Sequence, residues 1–289
     1  MVKVLVFDTE TNDKLPIMDG VTWKEKQKNE HMLLNPNNIN ETWSQVIHKW
    51  PHIIQLSYVL YNTDEPNAAV IYNKYIDIPD NIIISEETIN IHHITRETIK
   101  NTPSKNKATI KEALKHFLTD MKKADLIVGH SVHFDRKMII SELLRLSKEE
   151  YLPQIKDIMN DSKFECTKEK TKPICKIKLL GYKNKIKNPK LSEVYKHFFG
   201  YEPKSELLHD ALNDSIICLR VYLKYNKFPD VCGLNDIITN IIMKFSPPGY
   251  QYCIKSSRNK NKTKRRKQNE GNKKENKKKQ KKKTKRNNR

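Results

Sequence analysis

The stretch MVKVLVFDTET at residues 1–11 decides how the rest of the chain is read. Val2 to Phe7 is apolar at both alternating positions except for Lys3, the pattern of a central strand covered on both faces. Asp8 and Glu10 follow at once. Successive strand side chains point to opposite faces, so these two carboxylates project from the same one. They stand at the carboxyl end of the apolar run, where active groups gather in open α/β sheets. Two like charges held together there cost free energy unless a cation neutralises them, and a divalent metal is the simplest resolution. An isolated Asp-x-Glu is also common where a strand end merely meets solvent, so the pair needs support from elsewhere.

Outward from this strand, residues 11–50 form a polar excursion with Pro16, Gly20 and NPNNIN at 35–40. It is too long for a turn and is expected to carry a helix of its own or to pack as a lid. IIQLSYVLY at 53–61 and AVIYNKYI at 69–76, joined by the turn-rich NTDEPN, read as a hairpin. With the first strand they give three consecutive antiparallel strands. Apolar residues at helical spacing predict helices over 108–121, 134–146, 208–223 and 234–244, with a short buried strand at 126–128. Leu191 to Phe199 reads as a short helix closed by Gly200. Residues 160–190, rich in Lys and broken by Pro173, Gly181 and Pro189, read mainly as loop. The order predicts an α/β fold with one mixed central sheet, three antiparallel strands first, flanked by helices.

Charge divides the chain. From Lys255 onward there are 19 Lys and Arg against the two acids Glu270 and Glu275, which is +17 of the total +21 and leaves +4 on the body. A globular unit over 1–245 and a disordered polycationic tail over 255–289 are therefore expected. Such a tail binds phosphate backbones in a salt-dependent way, and it is equally compatible with nuclear targeting. The abundance of Lys, Asn and Ile is what AT-rich genomes encode, suiting a large DNA virus or an AT-rich microbe. The cysteines at 166, 175, 218, 232 and 253 contain no CxxC pair, which argues against a zinc site. No run approaches the roughly 20 apolar residues of a membrane span. An intracellular, reduced protein, cytoplasmic or nuclear, with no membrane partner is expected.

Two further carboxylates are candidates. Asp135 follows the strand LIV and the loop GHSVH at the mouth of the helix over 134–146, a position where Asp is also favoured simply as a cap. In HDALND at 209–214, His209 and Asp214 are five residues apart and would not share a face of one helix. Placing His209 in the loop before the helix removes that conflict: Asp214 stays fixed and His209 reaches over it.

As an ordered set, FDTET at 7–11, GHSVHFD at 129–135 and HDALND at 209–214 resemble the DEDDh exonucleases, the family of the proofreading subunit of bacterial replicative polymerase. IHHIT at 91–95 is similar to the family's IHGIT, and LSEVYKHFFG at 191–200 to its leucine-rich helix before the last motif. The resemblance spans roughly 1–225 with the insertion 11–50 set aside. Two positions depart from it: Ser131 stands where the family has Asn, and His93 where it has Gly.

The resemblance implies a ribonuclease-H-like fold and a 3′→5′ exonuclease releasing nucleoside 5′-monophosphates. Asp8, Glu10, Asp135 and Asp214 would ligate two Mg²⁺ or Mn²⁺ ions, which hard carboxylate oxygens suit. His209 would be the general base. The main chain from Thr9 to Thr11, with His92, His93 and Ser131, would lie at the terminal nucleotide. Implied partners are single-stranded 3′ ends of nucleic acid and a DNA polymerase, with DNA favoured in proofreading or repair. An RNA-directed exoribonuclease is the alternative within the fold. A catalytically inactive nucleic-acid-binding module is the alternative outside it.

Overall fold

The structure is a computed structural model that describes residues 2–14, 47–182 and 185–248. Most of the 11–50 excursion, with its expected helix or lid, and the basic tail lie outside the described residues.

Six strands form one mixed sheet in the order β4-β3-β2-β1-β5-β6. β1 (Lys3–Thr11), β2 (Ile53–Asn62) and β3 (Val70–Ile76) are successively antiparallel. β5 (Leu126–Gly129) joins β1 in parallel, and β6 (Phe164–Cys166) extends that edge in parallel. β4 (Lys107–Ala108) closes the other edge beside β3. Three antiparallel strands followed by parallel ones, with helices on both faces, is the ribonuclease-H-like arrangement.

Alternation along β1 supplies both layers. Leu5 and Phe7 enter one core with Leu56, Tyr58, Ile127 and Phe117, beneath α1 (Glu86–His92), α2 (Arg96–Asn101), α3 (Ile110–Met121) and α4 (Val132–Met159). Val4 and Val6 enter the other with Val59, Val128, Ile216 and Leu219. That face is covered by α6 (Leu191–Phe199), α7 (Ala211–Tyr225) and α8 (Asp236–Phe245). Caps set several of these helix ends: Thr109 and Glu112 form a capping box on α3, and Gly200 closes α6 at φ 81°.

Three expectations need correction. The stretch 160–190 is not mainly loop: it holds β6 and α5 (Thr167–Cys175), whose Pro173 sits in the last turn. The helix expected over 134–146 continues to Met159 after an extended break at Ser147 (φ −173°, ψ 114°). Cys166, Cys175 and Cys218 are free thiols, but Cys232 is disulfide-bonded, so a fully reduced set of cysteines does not hold there. Among the described residues no helix is long and apolar enough to cross a membrane.

Where the chain returns from the excursion it is tied to α4. Glu142 accepts the Ile53 amide (3.0 Å), and Arg145 donates to the Pro51 carbonyl (3.1 Å). β2 is thereby held in register against β1 immediately opposite the carboxylates.

Candidate active site

The row Val4, Val6 continues as Asp8 and Glu10, so the strand that packs on α7 also presents its two carboxylates toward that helix. The recorded pairing of β1 with β5 ends at Val6 and Val128, leaving the edge beyond it open. The Thr9 amide and hydroxyl use that edge: both donate to Asp135 Oδ1, at 3.0 and 2.7 Å. Asp135, in the first turn of α4, is thus more than a cap, because it is fastened to the strand between Asp8 and Glu10.

β2 fixes the fourth carboxylate. Gln55 and Ser57 lie directly across from Glu10 and Asp8. The buried Gln55 amide donates to Asp210 Oδ2 (3.0 Å) and accepts the Ala211 amide (3.2 Å), while Ser215 Oγ donates to the Ser57 carbonyl (3.3 Å). Asp210 itself caps α7 by accepting the Asn213 amide (3.0 Å). The start of α7 is therefore locked to the strand that opposes the metal-binding candidates, and Asp214 comes with it. Asp8, Glu10 and Asp214 each bring an oxygen to within 4.8 Å of the others.

His209 lies in the loop before α7 at φ 58°, its side chain exposed at the mouth and its amide donating to Asp214 Oδ2 (3.2 Å). The other oxygen of that carboxylate, Oδ1, is buried with no hydrogen-bond partner.

Electrostatics follow from this crowding. Burial first, then Asp135, Asp214, Glu10 and Asp210, holds Asp8 well above the usual carboxylate range. Burial and then Asp214 do the same to Glu10. Asp214 is pushed up to about 7 chiefly by burial, against the His209 amide, with Asp210 and Asp135 adding to the rise. Asp135 is raised to about 7 by burial although both Thr9 bonds and Lys168 oppose it. His209, although exposed at the surface, is lowered first by partial desolvation and then by Lys190 and His93. An unpartnered buried oxygen within a cluster of hard, like-charged oxygens fits a divalent cation of the Mg²⁺ or Mn²⁺ type.

The other expected substrate contacts are placed as follows. His92 is buried, its Nε2 on the Thr11 carbonyl (3.1 Å) and its Nδ1 accepting the Ile94 amide (2.9 Å), so it pins α1 to the end of β1. Burial lowers its pKa. The Thr11 hydroxyl is turned to the Asp13 carbonyl (2.8 Å). His93 caps α1 at φ 59° with its side chain exposed. Ser131, at φ 73°, precedes α4 and accepts a bond from Lys168 Nζ (2.6 Å).

Sequence reasoning assigned no role to Gln55, Asp210 or Lys168. A lone Gln within IIQLSYVLY was the available signal for the first, since a buried amide in a strand needs partners. Asp210 stood inside a quoted motif. Lys168 arrives from α5, in the stretch read as loop.

A family model described as RNase_T, exonuclease, matches residues 30–222, two-thirds of the chain. The match contains Asp135, His209 and Asp214 and begins after Asp8 and Glu10. No curated protein matches the chain. Among solved structures, a 3′-exonuclease described as recognising the 3′ end of the histone mRNA stem-loop aligns at 15% identity and TM-score 0.49, covering 78% of this chain and 81% of that one. The nuclease domain of 3′hExo, described as a DEDDh family member bound to rAMP, aligns at 16% identity and TM-score 0.48, covering 78% and 92%. Escherichia coli exonuclease I in complex with an oligonucleotide aligns at 11% identity and TM-score 0.47, covering 78% and 41%.

Proposed function

We propose that this chain, which belongs to the exonuclease family through the match across residues 30–222, hydrolyses nucleic acid from the 3′ end, with DNA as its substrate in proofreading or repair. The observation that carries this reading is the convergence of Asp8, Glu10 and Asp214 beside Asp135, with His209 at the mouth. In this reading Asp8, Glu10 and Asp214 hold divalent metal, with Asp135 completing the set. A bound Mg²⁺ or Mn²⁺ would lower the pKa of water and stabilise charge on the phosphoryl oxygens.

The chain's own residues do the positioning. His209 has its pKa lowered, so near neutrality a ring nitrogen is free to take the proton of an attacking water. Its backbone amide donates to Asp214 Oδ2 (3.2 Å), which ties the loop that carries the imidazole to the carboxylate set. Thr9 holds Asp135 by two hydrogen bonds to one oxygen, which leaves the other free of the Thr9 contact. His92 fixes the end of β1, so that the main chain from Thr9 to Thr11 forms a rigid floor for a terminal nucleotide.

The test is cleavage of 5′-labelled single-stranded DNA and matched RNA with Mg²⁺ or Mn²⁺ by wild type, Asp8→Ala and His209→Ala. A ladder shortening from the 3′ end, removed by EDTA and by both substitutions, is the expected result, with DNA cut faster than RNA. Faster cutting of RNA would reassign the substrate. No metal-dependent cleavage of either would leave a nucleic-acid-binding module.

A further inference from the structure

The body of the chain carries little net charge, yet one segment of it is strongly cationic. From Lys170 to Ser192 there are eight lysines and no acid. The fold turns the middle of this segment into a short antiparallel ribbon after α5. The Lys187 amide donates to the Ile177 carbonyl (2.9 Å), the Leu179 amide to the Lys185 carbonyl (2.8 Å), and Lys178 faces Ile186 across a bridge. Gly181 stands at φ 82° with no atoms packed where a side chain would extend.

Alternation sorts the ribbon's side chains. Lys176, Lys178 and Leu180 are exposed on one face with Ile186, while Ile177, Leu179 and Lys185 opposite it lie on the other. On that second face Lys185 is exposed and the two apolar residues are half-buried, so Lys178 and Lys185 flank the ribbon on its two sides. Leu180 is 95% exposed and Tyr182 is 57% exposed, with Lys185 Nζ 4.9 Å from the Tyr182 ring centroid. The two therefore leave apolar surface in water close together on the ribbon. Lysines interleaved with an accessible aromatic ring, and no acid among them, match a strand that offers phosphates and base faces in alternation.

The root of the ribbon is fixed at the rim of the carboxylate cleft. Glu193 of α6 takes Lys187 Nζ (2.5 Å) on one oxygen and the Lys190 amide (2.8 Å) on the other. His130, in the loop that leads to Asp135, has Nε2 on the Pro189 carbonyl (3.1 Å) and Nδ1 on the Thr167 hydroxyl (2.9 Å). The ribbon therefore starts beside the loop that leads to Asp135 and projects from there.

We propose that this ribbon is a second nucleic-acid contact, in which Lys178 and Lys185 hold phosphates and Tyr182 stacks on a base of the single strand that leads into the cleft. It rests on the exonuclease reading for the strand's direction, but its test separates the two. Lys178→Ala/Lys185→Ala and Tyr182→Ala, made in the full chain, are compared with wild type on two substrates: a long 5′-labelled single strand and the p-nitrophenyl ester of thymidine 5′-monophosphate, too small to reach the ribbon. Binding of the long strand is followed by fluorescence anisotropy across salt concentrations.

For the double lysine variant, KM on the long strand should rise about 10-fold and the log–log salt slope should become shallower by about 1.4, two single-strand phosphate contacts at about 0.7 each. Tyr182→Ala should raise the same KM about 5-fold or more with little change in slope, as loss of one stacked base would. Turnover of the small ester should stay at the wild-type value in both. Unchanged KM and slope on the long strand would overturn the proposal, and so would an equal loss on the small ester, which would make the ribbon a structural support. If wild type cleaves neither substrate, the exonuclease reading fails, and the anisotropy slopes still decide whether the ribbon binds the strand.

Discussion

Asp214 and Arg220 ride on the same helix, α7, and both hold buried polar atoms, yet the chain surrounds them in opposite ways. Arg220 is fully enclosed and supplied with partners: Nε donates to Asp230 Oδ1 (3.0 Å), the guanidinium lies 4.1 Å from the Phe199 ring centroid, and the hydroxyls of Tyr195 and Tyr201 complete its bonds. Asp214 has one oxygen on the His209 amide and the other without a partner, and its charged neighbours include Asp210 and Asp135. A buried charge whose partners come from the chain serves the fold. A buried carboxyl oxygen whose partners are withheld destabilises the isolated chain and is explained by a ligand that the chain does not contain.

The sharpest way to break this comparison is to remove the unpartnered side. His209→Ala should lower kcat by about 10²–10⁴-fold, the usual worth of a general base, and Asp214→Asn by at least as much, with circular dichroism unchanged. Near-wild-type turnover in Asp214→Asn would mean that the unpartnered oxygen has no chemical use.

The partnered side should answer in stability instead. Asp230→Ala leaves Arg220 charged and buried without its counterion and should cost about 3–5 kcal/mol in urea unfolding, with kcat/KM of the remaining folded enzyme little changed. A cost below about 1 kcal/mol would place the pair with exposed ion pairs and dissolve the contrast.

The third effect is in pH. In metal-free protein Asp135 and Asp214 keep their protons up to about 7, against 3.8 when unfolded. Between those values the native state holds more protons than the unfolded one, so stability should fall as pH rises toward and through 7. For one such group the change is about 1–3 kcal/mol once the mutual coupling of the carboxylates is discounted. Asp214→Asn should flatten this dependence in EDTA. Mg²⁺ or Mn²⁺ should raise the melting temperature of wild type at alkaline pH more than that of the variant. Equal metal shifts in both proteins would sink the shared-cation account.

How much of this was legible before the fold follows from the range of each signal. The strand MVKVLVFDTET and the loop-plus-helix HDALND carry their chemistry and their geometry within a few residues, so Asp8, Glu10, His209 and Asp214 could be proposed as a set once their order was seen to resemble a family's motifs. Asp135 could be found, but its bond to Thr9 spans the sheet and was invisible. Gln55 and Ser57 were read only as strand residues, because what they do depends on lying opposite Glu10 and Asp8. The stretch 160–190 misled through composition: Lys and Pro suppress helical periodicity, yet α5 is held by buried Thr167 and Thr171 against the body. The insertion over 11–50 had no periodicity to read and lies mostly outside the described residues.

The smallest expected effect concerns the two departures from the family's motifs, Ser131 and His93, which both stand at positive φ. Asn and Gly are the residues that adopt that conformation most easily, and any other side chain crowds its own backbone there. His93 is exposed and closes α1 at φ 59°, so replacing it removes no packing. His93→Gly should therefore stabilise the protein by about 0.5–1 kcal/mol, read as a rise in melting temperature. No rise would remove the strain argument. Where stability does rise, activity tells the two meanings of the departure apart. His93 is close enough to His209 to influence its charge. A variant that is more stable and equally active makes the histidine a tolerated departure, whereas a more stable variant with a higher KM makes it a strained residue kept for the substrate, in the same manner as the unpartnered Asp214.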